Sequence, residues 1–125
     1  MATIMIADDE PDIRDLVSFT LRFAGHTVTA FSNGAELVEA AKLQQPDLIM
    51  MDVRMPRMSG YEACKALKAD PVTAPVPVVL LSAKGQDEEI RTGIASGASE
   101  YLLKPFMPME LSARVGELLE KFAKK

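Results

Sequence analysis

Short unbroken apolar runs alternate along this chain with stretches where apolar residues recur every three or four positions. Thr3 to Ala7, Leu48 to Met51 and Val76 to Leu81 are runs of the first kind, and each stops at a polar residue: Asp8, Asp52 and Ser82. Such runs fit strands buried on both faces. Ile13, Leu16, Val17, Thr20, Leu21 and Ala24 follow helical spacing behind Pro11, whose missing N–H is not needed in a first helical turn. Gly25 is placed to end that helix. His26 to Phe31 alternates, as a half-exposed edge strand does. Ser32-Asn33-Gly34 reads as a turn or helix cap, and a second helix through Leu37, Val38 and Ala41 stops before Pro46.

The second half continues the alternation. Val53 to Gly60 reads as a loop, Tyr61 to Ala69 as a third helix, and Asp70 to Pro75 as a proline-rich connection. A fourth helix is expected from Glu88 to about Ser96, thinly anchored by Ile90, Ile94 and Ala95. Glu100 to Leu103 is the last strand and ends at Lys104-Pro105. The final helix gathers Leu111, Val115, Leu118, Leu119 and Phe122 on one face. Strict βα alternation implies a parallel sheet covered on both faces. The expected fold is α/β, a flavodoxin-like (βα)5 doubly wound sheet of strand order 2-1-3-4-5.

Composition narrows the function classes. A chain of 125 residues with 48% apolar and 26% charged residues fits one folded domain spanning 1–125. A net charge of -4 gives no electrostatic case for direct DNA binding, and no basic stripe or helix-turn-helix is visible. The single cysteine, Cys64, excludes an internal disulfide, which fits a cytoplasmic protein. No apolar stretch is long enough for a membrane span.

The chemistry sits at the strand ends. In a parallel sheet of this order Asp8, Asp9, Asp52, Ser82 and Lys104 converge on one edge, where such folds bind ligands. Carboxylates brought that close repel one another, and a hard cation relieves the repulsion. Few carboxylates with room for water favour Mg²⁺, which in such sites usually also ligates phosphate. Lys104 adds a positive charge and Ser82 a hydroxyl donor for phosphoryl oxygens. A carboxylate nucleophile then leads to an aspartyl-phosphate.

Asp8-Asp9-Glu10, the loop from Asp52 to Gly60, the pair Ser82-Ala83, and Tyr101-Leu102-Leu103-Lys104-Pro105 together resemble the response-regulator receiver family. The likeness covers essentially the whole chain, in order and at the family's spacing. It implies that Asp52 is the phosphoacceptor. It implies that Asp9 ligates Mg²⁺ directly, with Asp8 helping through water and the backbone carbonyl of Arg54 as a further ligand. Ser82 is then expected to bind a phosphoryl oxygen, and Lys104, held by a cis bond to Pro105, to pair with the phosphoryl group. Tyr101 fills the aromatic switch position and moves with Ser82, reshaping the face made by the fourth helix, the fifth strand and the fifth helix. Arg54 and Lys84, at the positions two beyond Asp52 and Ser82, are expected to tune phosphoryl lifetime.

The implied partners are a sensor histidine kinase or histidine phosphotransfer protein, and a downstream effector or attached output domain. A phosphorylation-dependent homodimer is one form the response can take. The domain is expected to have no separate substrate and so not to be an enzyme in the ordinary sense. Two other readings stand beside this one. A Mg²⁺-dependent phosphatase with an aspartyl nucleophile shares the chemistry, but usually carries Asp-x-Asp at its first strand and a cap insertion. A receiver-like interaction module that is never phosphorylated would be marked by loss of Asp52, Lys104 or the acidic pair. His26 reads as an edge histidine and Cys64 as a packing residue. Spacing leaves open whether Phe19 and Phe23 cover the core or face water.

Overall fold

A computed structural model describes residues 2–55, 58–82, 91–92, 95, 97–103 and 107–123. The strands are β1 (Thr3–Ala7), β2 (Thr27–Phe31), β3 (Leu48–Asp52), β4 (Val78–Ser82) and β5 (Glu100–Leu103). They form one parallel sheet in the order β2-β1-β3-β4-β5, as the alternation predicts. The helices α1 (Pro11–Phe23), α2 (Gly34–Leu43) and α3 (Gly60–Ala69) and a C-terminal helix (Pro108–Ala123) cover it. Arg91, Thr92 and Ala95 are helical where a fourth helix is expected, and Ala95 is exposed rather than anchoring it. Ile90 and Ile94 lie outside the described residues.

Side-chain alternation along the buried central strands sends residues to two cores. Met5, Ala7, Ile49, Met51, Val78 and Leu80 pack with Leu37, Val38 and Ala41 of α2 and with Ala63, Cys64 and Leu67 of α3. Ile4, Ile6, Leu48, Met50, Val79 and Leu81 pack on the other face with Val17 and Leu21 of α1 and with Leu111, Val115 and Leu118 of the C-terminal helix. Burying both faces of β1, β3 and β4 is what requires unbroken apolar runs there. β2 has one sheet neighbour and keeps an exposed face, so its sequence alternates.

The caps follow from sequence. Pro11 opens α1, and Gly25 closes it at φ 100°, a conformation that favours glycine. The Asn33 side chain caps α2 by accepting from the Glu36 amide. Ser59 and Glu62 form a reciprocal capping box on α3.

One boundary differs. β4 begins at Val78, two residues later than the apolar run predicts. The Val76 amide donates to the Thr73 carbonyl, the Val76 carbonyl accepts from Lys68 Nζ at 2.6 Å, and Pro77 has no N–H. The backbone of Val76 is thus committed to the α3–β4 turn, although its side chain joins the core.

Candidate functional site

Three carboxylates meet at the carboxyl end of the central strands. β1 delivers Asp8, 2% exposed, and β3 delivers Asp52, 6% exposed. One carboxylate oxygen from each of these, and one from Glu10, lie within 4.8 Å of one another. β1 and β3 are direct neighbours in register, with Ala7 opposite Met51, so the next residues, Asp8 and Asp52, leave the sheet side by side.

Asp8 is held on several sides. Its amide donates to the Phe31 carbonyl at 3.1 Å, its Oδ1 accepts from the Glu10 amide at 3.0 Å, and its carbonyl accepts from Arg14 Nη1 at 2.9 Å. The Oδ1 bond turns the chain sharply before Pro11 and brings Glu10 back over the strand end. Asp9 is exposed and is not one of the three clustered carboxylates among the described residues. Glu10 is the third carboxylate of this group. The signal was present in the Asp8-Asp9-Glu10 run. It is the turn made by Asp8, invisible to spacing, that selects the last member.

Gly60 is the other residue that strand-end reasoning passed over. A Cβ there would lie 2.5 Å from the Asp52 carbonyl oxygen and 3.0 Å from the Val53 Cα. Its amide donates to the Val53 carbonyl at 2.9 Å. The start of α3 thus presses backbone on backbone against the exit of β3, a contact open to glycine alone. The Val53 amide in turn donates to the Leu81 carbonyl, tying this exit to β4.

Ser82 ends β4 with 5% exposure, one position beyond Leu81, the register partner of Asp52. Tyr101 is half-buried, pairs in register with Leu80, and packs against the α2–α3 core. Residues two apart on a strand share a face, so Leu80, Ser82 and Tyr101 lie on one side of the sheet. Arg54 is exposed beyond Asp52. Lys104 and Pro105 lie outside the described residues, as does Lys84.

Two buried carboxylates less than 5 Å apart repel by roughly 3 kcal/mol at an effective dielectric of about 20. An all-oxygen donor set relieves this with a hard cation, so the residues present fit a divalent ion. With Ser82 next to Asp52, the site joins a cation-suited acidic pair to a hydroxyl, in the place where this topology binds ligands.

A family model for the response regulator receiver domain matches residues 4–116. The chain belongs to the response regulator receiver domain family. This receiver domain is 43% identical over 121 residues to the DNA-binding dual master transcriptional regulator RpaA of Synechocystis sp., covering 97% of this chain and 50% of that protein. The chain spans about half the length of the curated relatives it matches. The chemotaxis response regulator CheY4 of Vibrio cholerae superimposes with a TM-score of 0.88 at 34% identity, covering 95% of this chain and 98% of that one. The receiver domain of the sensor histidine kinase PA1611 of Pseudomonas aeruginosa, solved with a magnesium ion coordinated in its active site cleft, superimposes with a TM-score of 0.87. It is 27% identical, with 99% and 98% coverage. The domain is a receiver of two-component systems. No helix among the described residues is long and apolar enough to cross a membrane.

Proposed function

We propose that this receiver domain accepts a phosphoryl group on Asp52, with Mg²⁺, from a sensor histidine kinase or histidine phosphotransfer protein. The observation that carries this reading is the buried Asp52 carboxylate at the end of a central strand, within 4.8 Å of the Asp8 and Glu10 carboxylates. Asp9, Asp52 and the Arg54 carbonyl would hold the cation, with Asp8 helping through water and Glu10 as a further acidic group beside them. When bound, the cation offsets the carboxylate charge and draws negative charge from phosphoryl oxygens.

Asp52 provides the attacking oxygen. Its bond to phosphorus forms as the bond from phosphorus to the donor's imidazole nitrogen breaks. Ser82 donates its hydroxyl to a phosphoryl oxygen. Lys104, by family likeness, pairs with the same group. The pull on Ser82 frees space that Tyr101 fills from the same side of the sheet, and the surface around β5 changes for a partner to read. The receiver works in the cytoplasm as one domain over residues 1–125. Its charge of -4 leaves any DNA contact to an effector or attached output domain.

Intact mass after incubation with acetyl phosphate and Mg²⁺ tests this. One added phosphoryl group is expected, absent in Asp52→Asn and after chelation. An unmodified wild type, which also fails to bind beryllofluoride, would overturn it.

A further inference from the structure

The outward ridge of α1 carries two aromatic rings. Phe19 is 71% exposed and Phe23 86% exposed, with ring centroids 6.3 Å apart. Neither is a displaced core residue. Phe19 lies between buried Ser18 and Thr20 in sequence and two positions from buried Val17 and Leu21. At about 100° per residue, it points directly away from the sheet.

The surroundings of Phe19 are self-complementary. Helical angles place Asp15 and Arg22 on one flank of the ridge, and Leu16 and Phe23 on the other. Within each flank, one residue precedes Phe19 by three or four positions and the other follows it by three or four. A two-fold axis through Phe19, crossing two antiparallel α1 helices, keeps each flank on its own side and inverts height. It therefore sets Arg22 against Asp15 of the second copy, and Phe23 against Leu16 of the second copy, twice over. A parallel pairing opposes Arg22 to Phe23 and Asp15 to Leu16, and loses both matches. Asp15, Phe19, Arg22 and Phe23 are exposed, and Leu16 is half-buried; Arg22 donates through Nη2 to the Val28 carbonyl at 2.9 Å, so it is the remaining N–H groups of its guanidinium that meet Asp15 of the second copy.

We propose that this surface is a homodimer interface, in which α1 pairs antiparallel with α1 of a second copy around Phe19. This face is distinct from the one around β5 that phosphorylation is proposed to reshape, so the pairing needs no phosphoryl group. Four rings at roughly 150–250 Å² each supply about half of the roughly 1,600 Å² of a standard interface. The dimer is accordingly weak and reversible, with Kd between roughly 10 µM and 1 mM.

Sedimentation velocity of the full chain over that concentration range tests the proposal. The expected result is a monomer–dimer equilibrium, weakened at least about tenfold by Phe19→Ser, a change on an exposed position that leaves the core intact. Asp15→Lys weakens it as well, and Asp15→Lys with Arg22→Glu restores it. The Phe19→Cys variant should give a disulfide-linked dimer under mild oxidation, since Cys64 is buried and does not compete. A wild type that stays monomeric at about 1 mM, a dimer indifferent to Phe19→Ser, or no rescue by the charge swap would each overturn the proposal. The first result would leave the ridge to a different macromolecule.

Discussion

Gly60, Glu10 and His26 show three ways in which a single residue bears on this domain. Gly60→Ala forces a methyl group to 2.5 Å from the Asp52 carbonyl oxygen, so backbone must move. A destabilisation of about 1–3 kcal/mol is expected in urea unfolding, together with slower phosphoryl acceptance, because the displaced backbone belongs to Asp52. Glu10→Gln removes one of the three clustered charges and should weaken Mg²⁺ binding, read by titration calorimetry. An unchanged affinity would show that the Glu10 carboxylate contributes nothing to the ion. His26 accepts from the Ala2 amide through Nδ1 at 3.1 Å, which requires the neutral ring. Burial, then the positive amino terminus, holds its pKa below the ordinary 6.5. The folded state thus binds this proton more weakly than the unfolded chain. The stability contributed by neutral His26 is present above about pH 6.5 and is lost as pH falls through the lowered folded value. His26→Gln should flatten the dependence of unfolding free energy on pH in that window.

Elements are joined by side chains that reach across loops. Lys68 ends α3 by donating to the Ala74 and Val76 carbonyls at 2.9 and 2.6 Å, and Thr73 Oγ1 donates to the Leu67 carbonyl at 2.6 Å. These bonds fix where β4 starts, and hence where Ser82 ends it. Lys68→Met keeps much of the stem and removes both charged donors. It should cost about 1.5–3 kcal/mol, measured by chemical denaturation. The same turn marks the limit of reading by hydrophobic runs. Val76 is apolar and buried, so it extends the β4 run in sequence, yet its backbone bonds belong to a turn whose key donor lies eight residues earlier. Run length reports burial, not ladder membership. Helix ends were more legible, because Pro11, Gly25 and Asn33 act on their immediate neighbours; Ser59, whose capping box with Glu62 starts the third helix at Gly60, lay inside a stretch read as loop. The place of Glu10 beside Asp8 and Asp52 depends on how Asp8 turns the chain, not on period.

For the whole molecule, sheet order decides which strand ends meet at the site, and that order was open to sequence reasoning. The edge strand alternates, the inner strands do not, and the polar residue after each inner strand then has to lie at one edge. The orientation of the α1 aromatics was also written in the 100° step of the helix, but spacing by threes and fours alone did not extract it. A receiver domain that binds an ion at its strand ends links that binding to global unfolding. At an Mg²⁺ concentration about 100-fold above Kd, the domain should gain about 2.7 kcal/mol, visible as a higher melting temperature. The gain should vanish in Asp8→Asn.

The Asp8–Asp52 contact has a consequence for how such a domain can be improved. Without a cation, the repulsion between two carboxylates held together at the strand ends is a term working against folding. In chelator, Asp8→Asn, which retains the oxygen that accepts from the Glu10 amide, should therefore melt higher than the wild type. Selection for thermal resistance alone would drift toward amides at these strand ends and leave a sturdier molecule without the proposed ion site. On the proposed function, the pair of acids holds the protein away from its most durable sequence.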